Sequence, residues 1–258
     1  MSPVLSVARN SFREAIRDRI LLSLVAFAVL LAGAGLLFSQ MSFGISASAL
    51  VNFGLFTITL FGVVIAIFLG IQLVAKEIER RTLYTLLARP VRRRQFLMGK
   101  YLGLLAALAL NTGLMLAALL IAVALLHPAW RTGESALLAS GLTIFLALAL
   151  LTALALLFSS FSSPVLAAAF SLALFLIGNF AGDLRGLGAA AHPGPGRWLA
   201  LGVAYLVPDF SALNLATAAS HFQPPAPALL GWDALYAVFY SLILLALAGL
   251  ILELRDLK

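Results

Sequence analysis

The sequence predicts an all-α membrane protein with six transmembrane helices. Residues 20–75 contain no Lys, Arg, Asp or Glu, and residues 101–130 contain none either. Both runs exceed the roughly 20 apolar residues that cross a hydrocarbon core about 30 Å thick. The chain is 63% hydrophobic and 10% charged, with a mean hydropathy of +1.08. A soluble domain needs about 25–35% charged residues on its surface, so this composition excludes one.

Polar breaks and prolines divide the apolar runs into spans. Residues 39–49 separate the first span from the second, His127 and Pro128 end the third, and the Ser-rich break at 159–164 separates the fourth from the fifth. Pro164 suits the first turn of a helix, because the N–H that proline lacks is unpaired there anyway. Residues 1–258 are thus predicted to form a single transmembrane domain. Its spans cover about 20–38, 50–75, 98–126, 136–158, 164–181 and 233–252.

The distribution of Lys and Arg predicts the orientation. Fourteen of the seventeen basic residues fall on the side that holds both termini, and Arg131, Arg185 and Arg197 fall on the other. Because cytoplasmic loops are enriched in Lys and Arg, both termini are expected in the cytoplasm. The basic residues cluster at span ends, where anionic headgroups attract them, so no nucleic-acid partner is expected despite a pI near 10.4.

Residues 4–20 predict an amphipathic helix that lies in the cytoplasmic interface. Apolar residues recur there at helical spacing with arginines beside them, which is typical of such helices. The residues assigned to this interfacial helix are Arg9, Phe12, Arg13 and Arg17. The basic start resembles a signal peptide, but its apolar run of about 19 residues exceeds the usual 7–15, so an uncleaved first span is predicted.

The long connection at residues 182–231 is predicted to be external. It contains a Pro-Gly turn at 192–196 and then only ten apolar residues, 198–207, too few to span. One or two short helices are therefore expected to rest on the outer interface.

The sequence contains no recognisable site for catalysis or a metal ion. Zero cysteines exclude a disulfide framework and an Fe–S cluster. His127, His192 and His221 lack ligand partners at helical spacing, and the serines at 159–163 lack a nearby His or Asp. Gly99 and Lys100 lack the earlier glycine and the Ser/Thr of a phosphate-binding loop, so ATP binding by this chain is not expected.

Few polar groups fall within the predicted spans. No ionisable residue lies deep in any of them, which argues against an ion-coupled pump. Helix-to-helix hydrogen bonds are the favoured interpretation of Asn52, Gln72, Asn111 and Asn179. Two glycine pairs have GxxxG spacing, for which a dimer seam is one interpretation: Gly99 with Gly103, and Gly178 with Gly182.

Residues 76–100 stand out because they hold eight basic residues between two charge-free runs. Residues 76–81 can continue the second span into the cytoplasm, Pro90 stops the helix, and 91–95 turn back to the third span. Arg92, Arg93 and Arg94 can be interpreted as a headgroup anchor. That interpretation does not explain the two glutamates of the segment.

The string LVAKEIERRTLYTLLARPVRRRQFLMGKYLG closely resembles the segment between the second and third spans of ABC-2 type transporter permeases, especially the copper-enzyme-maturation group. The matching residues are Glu77, Glu79, Thr82, Leu86, Leu87, Pro90, Arg94, Phe96, Leu97, Gly99 and Lys100. Further agreement lies in Arg13, Asp18, Arg19, residues 207–210 and residues 255–257.

The resemblance implies a six-span permease of a bacterial or archaeal cytoplasmic membrane. It implies a homodimer, or a pseudodimer with a related permease, driven by a separate ATP-binding-cassette ATPase that binds ATP and Mg²⁺, with no cofactor in this chain. It also implies a cytoplasmic coupling helix between spans 2 and 3 that docks on the ATPase. The coupling residues are Glu77, Glu79, Thr82, Leu83, Tyr84, Leu86, Leu87 and Pro90. Arg92 and Arg93 depart from the small or polar residues usual at those positions.

Two functions therefore remain open from the sequence. The first is an exporter permease, and the alternative is a membrane-embedded enzyme or assembly factor without transport activity. A neighbouring reading frame that encodes an ATPase with a Walker motif favours the first. The sequence does not specify the substrate, since a path lined by small apolar residues suits a lipid, a peptide, a glycan or a sulfur species.

Overall fold

The computed structural model describes the chain in segments, and all regular structure within them is helical. The described residues are 3–15, 26–27, 29–31, 33–34, 43–79, 93–126, 134–190, 194–215, 219–220 and 225–254. The first four helices are α1 (Pro3–Ala15), α2 (Phe43–Glu79), α3 (Arg93–Leu126) and α4 (Glu134–Phe161). The other four are α5 (Pro164–Asn179), α6 (Ala181–Ala190), α7 (Pro195–Leu206) and α8 (Pro227–Leu254).

Four of these helices are long and apolar enough to cross a membrane: α2, α3, α4 and α8. They correspond to the predicted second, third, fourth and sixth spans. A fifth candidate is the bent pair of α5 and α6. Most of the predicted first span lies outside the described residues. Those that are described there are helical, and Phe27, Leu31 and Ala34 are buried at one-face spacing.

The helix ends differ from the prediction wherever polar residues and prolines join a helix. α2 begins at Phe43, seven residues before the predicted span. α8 begins at Pro227 rather than near Asp233, because proline is tolerated in the first turn of a helix. The predicted turn at 159–164 is shorter, since α4 continues through Phe161. The hydroxyls of Ser159 and Ser160 donate to the carbonyls of Leu156 and Leu157, at 3.0 and 2.6 Å, and so remain compatible with helix.

α4 is the central helix of the bundle. It packs against α2, α3, α5 and α8, and most of its side chains are buried. More than half of its residues are Leu or Ala, and its one charge is at the first residue, which suits a helix surrounded by protein and lipid on all sides. The buried hydroxyls of Thr143 and Thr152 donate to carbonyls of their own helix, at 3.1 and 2.7 Å, so neither needs a partner elsewhere.

The predicted fifth span, 164–181, is in the structure a helix that breaks. α5 ends at Asn179, and α6 continues from Ala181 at an angle of 50°. At the break, the N–H of Phe180 donates to the carbonyl of Ile177 at 3.0 Å. α5 has 16 residues and is about 24 Å long at 1.5 Å per residue, which is shorter than a hydrocarbon core of about 30 Å.

The bundle has two ends. The basic end carries α1, the end of α2, the start of α3, the turn between α4 and α5, and the end of α8. The opposite end carries the starts of α2, α4 and α8 together with α6 and α7. Hydrogen bonds join separate segments there; for example, Ser48 Oγ donates to the carbonyl of Ser220 at 2.9 Å, and Ser140 Oγ donates to that of Leu215 at 3.1 Å.

Candidate functional site

The end of α2 carries the first predicted coupling residues. The uncharged run ends at Ala75, yet the helix continues without a break to Glu79. The backbones of Glu77 and Glu79 thus lie in the last helical turns, as the sequence predicts for a second span that continues past the membrane. The remaining coupling residues lie outside the described residues: Thr82, Leu83, Tyr84, Leu86, Leu87 and Pro90.

α3 begins at the same end of the bundle. The helix starts at Arg93, so residues 93–95, predicted to turn back toward the third span, already belong to its first turn. Within two turns, Lys100 is buried, and its Nζ lies 4.9 Å from the centroid of the Phe96 ring. This position stabilises the buried lysine, because the negative face of an aromatic ring attracts an ammonium group that has lost its contact with water.

α1 packs on the first turns of α3. The buried residues of α1 are Ala8, Ser11 and Ala15. Of the predicted interfacial residues, Arg9 and Arg13 are exposed, Phe12 is half-buried, and Arg17 lies outside the described residues. Leu5, which the sequence pattern groups with Ala8 and Phe12, is 53% exposed. The contact with α3 therefore uses small residues, and it leaves Leu5 and both arginines on the surface.

Two glycines of α3 make this close packing possible. A Cβ on Gly99 would lie 2.8 Å from Val7 Cβ, and a Cβ on Gly103 would lie 2.7 Å from Ser11 Cβ. Helices with GxxxG spacing approach closely because no side chain separates them. This GxxxG pair therefore receives α1 of the same chain, which replaces the dimer seam considered from the sequence.

The second GxxxG pair is also occupied within the chain. A Cβ on Gly178 would overlap the carbonyl of Pro208, and one on Gly182 would lie 2.9 Å from Ser211 Oγ. The N–H groups of Phe210 and Ser211 both donate to the carbonyl of Gly178, at 3.1 and 3.2 Å. The connection between α7 and α8 thus lies directly on the break between α5 and α6.

An ion pair holds this connection in place. Arg185 of α6 donates to Asp209, whose other carboxylate oxygen accepts from Ser211 Oγ at 2.5 Å and from the Ala212 N–H at 3.1 Å. The Asp209 N–H in turn donates to the Tyr236 hydroxyl of α8 at 2.8 Å. The members of this cluster are far apart in the chain, so the sequence does not predict it, although residues 207–210 contribute to the family resemblance.

One polar residue of the spans differs from the prediction: Asn179 Nδ2 donates to the carbonyl of Phe175 within its own helix, at 2.8 Å. Asn111 Nδ2 lies 3.5 Å from Met115 Sδ. Asn52 is exposed on α2. Among the described residues, no three His, Asp or Glu side chains lie close enough together to hold a metal ion. All three histidines lie outside the described residues.

A protein-family profile described as ABC-2 family transporter protein matches residues 5–257. The chain belongs to the ABC-2 transporter family. As an ABC-2 chain with several long apolar helices, it is a multi-pass membrane protein and a permease component of an ABC transporter. The match does not extend to the copper-enzyme-maturation group, which stays a prediction. A search of curated proteins found no relative.

Proposed function

We propose that this ABC-2 chain is the transmembrane subunit of an ATP-driven exporter. Two copies, or one copy and a related permease, enclose the substrate path, and a separate ATP-binding-cassette subunit binds ATP and Mg²⁺. The basic end faces the cytoplasm, so both termini lie there. Transport proceeds by rigid-body rearrangement of the subunits.

The length of α2 is the observation that carries this proposal. Its 37 residues make a helix about 55 Å long, whereas the hydrocarbon core is about 30 Å thick. The four residues beyond Ala75, where the uncharged run ends, extend the helix by about 6 Å at the basic end. A rigid helix that leaves the membrane transmits a push from a docked subunit directly to the transmembrane bundle.

The surroundings of the projection also suit a docking site. Residues 80–92 follow α2 and combine basic, apolar and aromatic side chains, which matches an interface with an apolar centre and a charged rim. α1 lies on the start of α3, close to where this segment returns to the bundle. Movement of the segment would therefore reach both α2 and the pair formed by α1 and α3.

Co-purification tests the proposal. The chain is co-expressed with a candidate ATP-binding-cassette ATPase, and the complex is isolated from membranes. We expect two copies of each subunit. Replacing Tyr84 and Leu87 together by Ala should cost about 1–3 kcal/mol of association per buried anchor and should uncouple hydrolysis from transport.

Leu125→Ala is the matched control, because Leu125 is a highly exposed apolar residue at the other end of α3. It should leave assembly unchanged. If the Tyr84→Ala, Leu87→Ala variant assembles and couples like the control, the segment is only a charged membrane flank and the coupling assignment is wrong.

A further inference from the structure

The hydroxyl of Ser241 on α8 differs from other buried hydroxyls of the bundle. Those of Thr152 and Ser171 each donate to the carbonyl four residues earlier in the same helix, at 2.7 Å. Such a bond satisfies a hydroxyl without help from a second helix. Ser241 is only 3% exposed, yet its Oγ has no hydrogen-bond partner among the described residues. The Ser241 hydroxyl therefore does not use a carbonyl of its own helix.

The depth of Ser241 makes a missing partner costly. Along α8, Ser241 is about 12 Å from Asp233 and about 18 Å from Glu253, the nearest charged residues on either side. It thus lies near the middle of a hydrocarbon core about 30 Å thick. A polar group at that depth must be satisfied within the protein, because bulk water and headgroups are out of reach.

The Tyr101 hydroxyl of α3 lies beside Ser241. Tyr101 is also buried, and the two hydroxyls are neighbours without the geometry of a direct hydrogen bond. Tyr101 donates instead to the carbonyl of Ala149 in α4, at 3.4 Å. An O–H···O bond is normally about 2.7–2.8 Å long, so this bond is weak. Three helices therefore bring together two poorly satisfied hydroxyls and one carbonyl.

We propose that Tyr101, Ser241 and the Ala149 carbonyl hold one buried water molecule at the junction of α3, α4 and α8. The water accepts from both hydroxyls and donates to the carbonyl. That carbonyl has two lone pairs, and the α4 backbone uses one of them. Buried waters typically make about three hydrogen bonds to groups that lack other partners, and these residues supply three.

The chemistry of the three groups favours water over other occupants. All three are neutral, so a bound ion would keep its charge uncompensated in the middle of the membrane. An apolar solute would leave both hydroxyls without a partner.

The water gives α8 a polar contact with α3. α8 packs mainly on α4 and also touches α3. A bridge through water is nearly as favourable in enthalpy as a direct hydrogen bond. The water therefore fixes the middle of α8 relative to the early turns of α3.

X-ray radiolytic footprinting of the full chain in nanodiscs tests the site. Hydroxyl radicals that form from a bound water modify the side chain beside it, even where bulk water is absent. With ¹⁸O-labelled water, mass spectrometry identifies water as the source of the added oxygen. We expect Tyr101 to be modified several-fold faster than Met115, a fully buried residue of the same helix.

Ser241→Ala removes one of the three partners and should slow the modification of Tyr101 several-fold. Ser171→Ala is the matched control, because the Ser171 hydroxyl is equally buried but bonds to its own helix, and it should leave Tyr101 unchanged. Two outcomes would overturn the proposal. Modification of Tyr101 no faster than that of Met115 would indicate a direct bond between the hydroxyls. Modification that Ser241→Ala does not slow would show that Ser241 holds no water.

Unfolding rates in SDS give a second readout. Tyr101→Phe and Ser241→Ala should each speed unfolding several-fold. The double variant should unfold no faster than the faster single variant, because the first substitution already releases the water. Effects that multiply in the double variant would show that the two hydroxyls act independently, which contradicts a shared water.

Discussion

Gly103 of α3 faces the backbone of Ala8 in α1 so closely that a Cβ on residue 103 would lie 2.5 Å from the Ala8 carbonyl oxygen. Gly103→Ala should therefore push α1 away from α3. We expect a loss of about 1–3 kcal/mol in the free energy of unfolding, measured by SDS titration of the protein in mixed micelles.

Gly113→Ala is the matched control for this substitution. Gly113 lies on the same helix, and a Cβ there meets nothing within 4 Å. Since Ala favours a helix over Gly by up to about 1 kcal/mol, this variant should be neutral or slightly more stable. Equal stability of the two variants would show that α1 does not need the close contact at Gly103.

Asp209→Asn should destabilise the opposite end of the bundle. The substitution removes the ion pair with Arg185 and weakens the bonds from Ser211 and Ala212. Bonds to a charged group contribute about 1.5–3 kcal/mol, and we expect a loss near 2 kcal/mol because Arg185 is 39% exposed. Asp183→Asn, at an exposed site on α6, should stay within about 0.5 kcal/mol of the native protein. Thermal unfolding in nanodiscs measures both, and similar losses would refute a special role for Asp209.

Charge reversal of the glutamates at the end of α2 should disturb docking of the ATPase. Glu77→Lys and Glu79→Lys each oppose the native charge pattern, which mainly slows association. Glu134→Lys makes the same change at an exposed site at the opposite end and should have no effect. Replacing Arg92, Arg93 and Arg94 by Lys keeps the charge and should be tolerated. Surface plasmon resonance on reconstituted nanodiscs measures the association rate, and unchanged rates for both glutamate variants would contradict the prediction.

The basic residues predict a topology that labelling checks directly. Gly194→Cys should react with an impermeant reagent from outside intact cells. Ser163→Cys, at the exposed turn between α4 and α5, should react only in inverted vesicles. A reporter fused after Lys258 should be active in the cytoplasm. An external Lys258 would contradict the six-span topology.

The purified chain alone should neither bind nor hydrolyse ATP. It lacks a phosphate-binding loop, since the residues around Lys100 do not provide the required glycine and hydroxyl. Equilibrium dialysis with labelled ATP and a phosphate-release assay measure the two properties. Turnover that persists after contaminating ATPases are removed would overturn the assignment as a permease without nucleotide chemistry.

The spans were predictable where charges, prolines and polar breaks mark their ends. α4, predicted at 136–158, runs over Glu134–Phe161, and α3 differs from its predicted span only in beginning at Arg93. Ser159 and Ser160 extend α4 because their hydroxyls bond back to their own helix, which the Ser-rich composition alone does not reveal. The helical fold thus followed from composition and spacing, whereas exact boundaries depended on local hydrogen bonds.

The tertiary contacts were far less predictable. The GxxxG spacing at Gly99 and Gly178 indicated close approach but not the partner, which is α1 in one case and residues 208–211 in the other. The break at Phe180 was also missed, since 164–181 reads as one apolar stretch. Arg185 and Asp209 meet only because that break redirects α6 toward the connection after α7.

The central position of α4 has a consequence for how the protein is made. α8 packs mainly on α4, and its buried residues are Ala237, Ser241, Leu244, Leu245, Ala248 and Gly249. The ribosome synthesises α8 after α4, so acyl chains fill the vacant groove on α4 first. Because that groove is apolar, its exposure to lipid has little cost in free energy. Biogenesis therefore ends with an exchange of lipid for protein, driven by the closer fit of the small α8 residues.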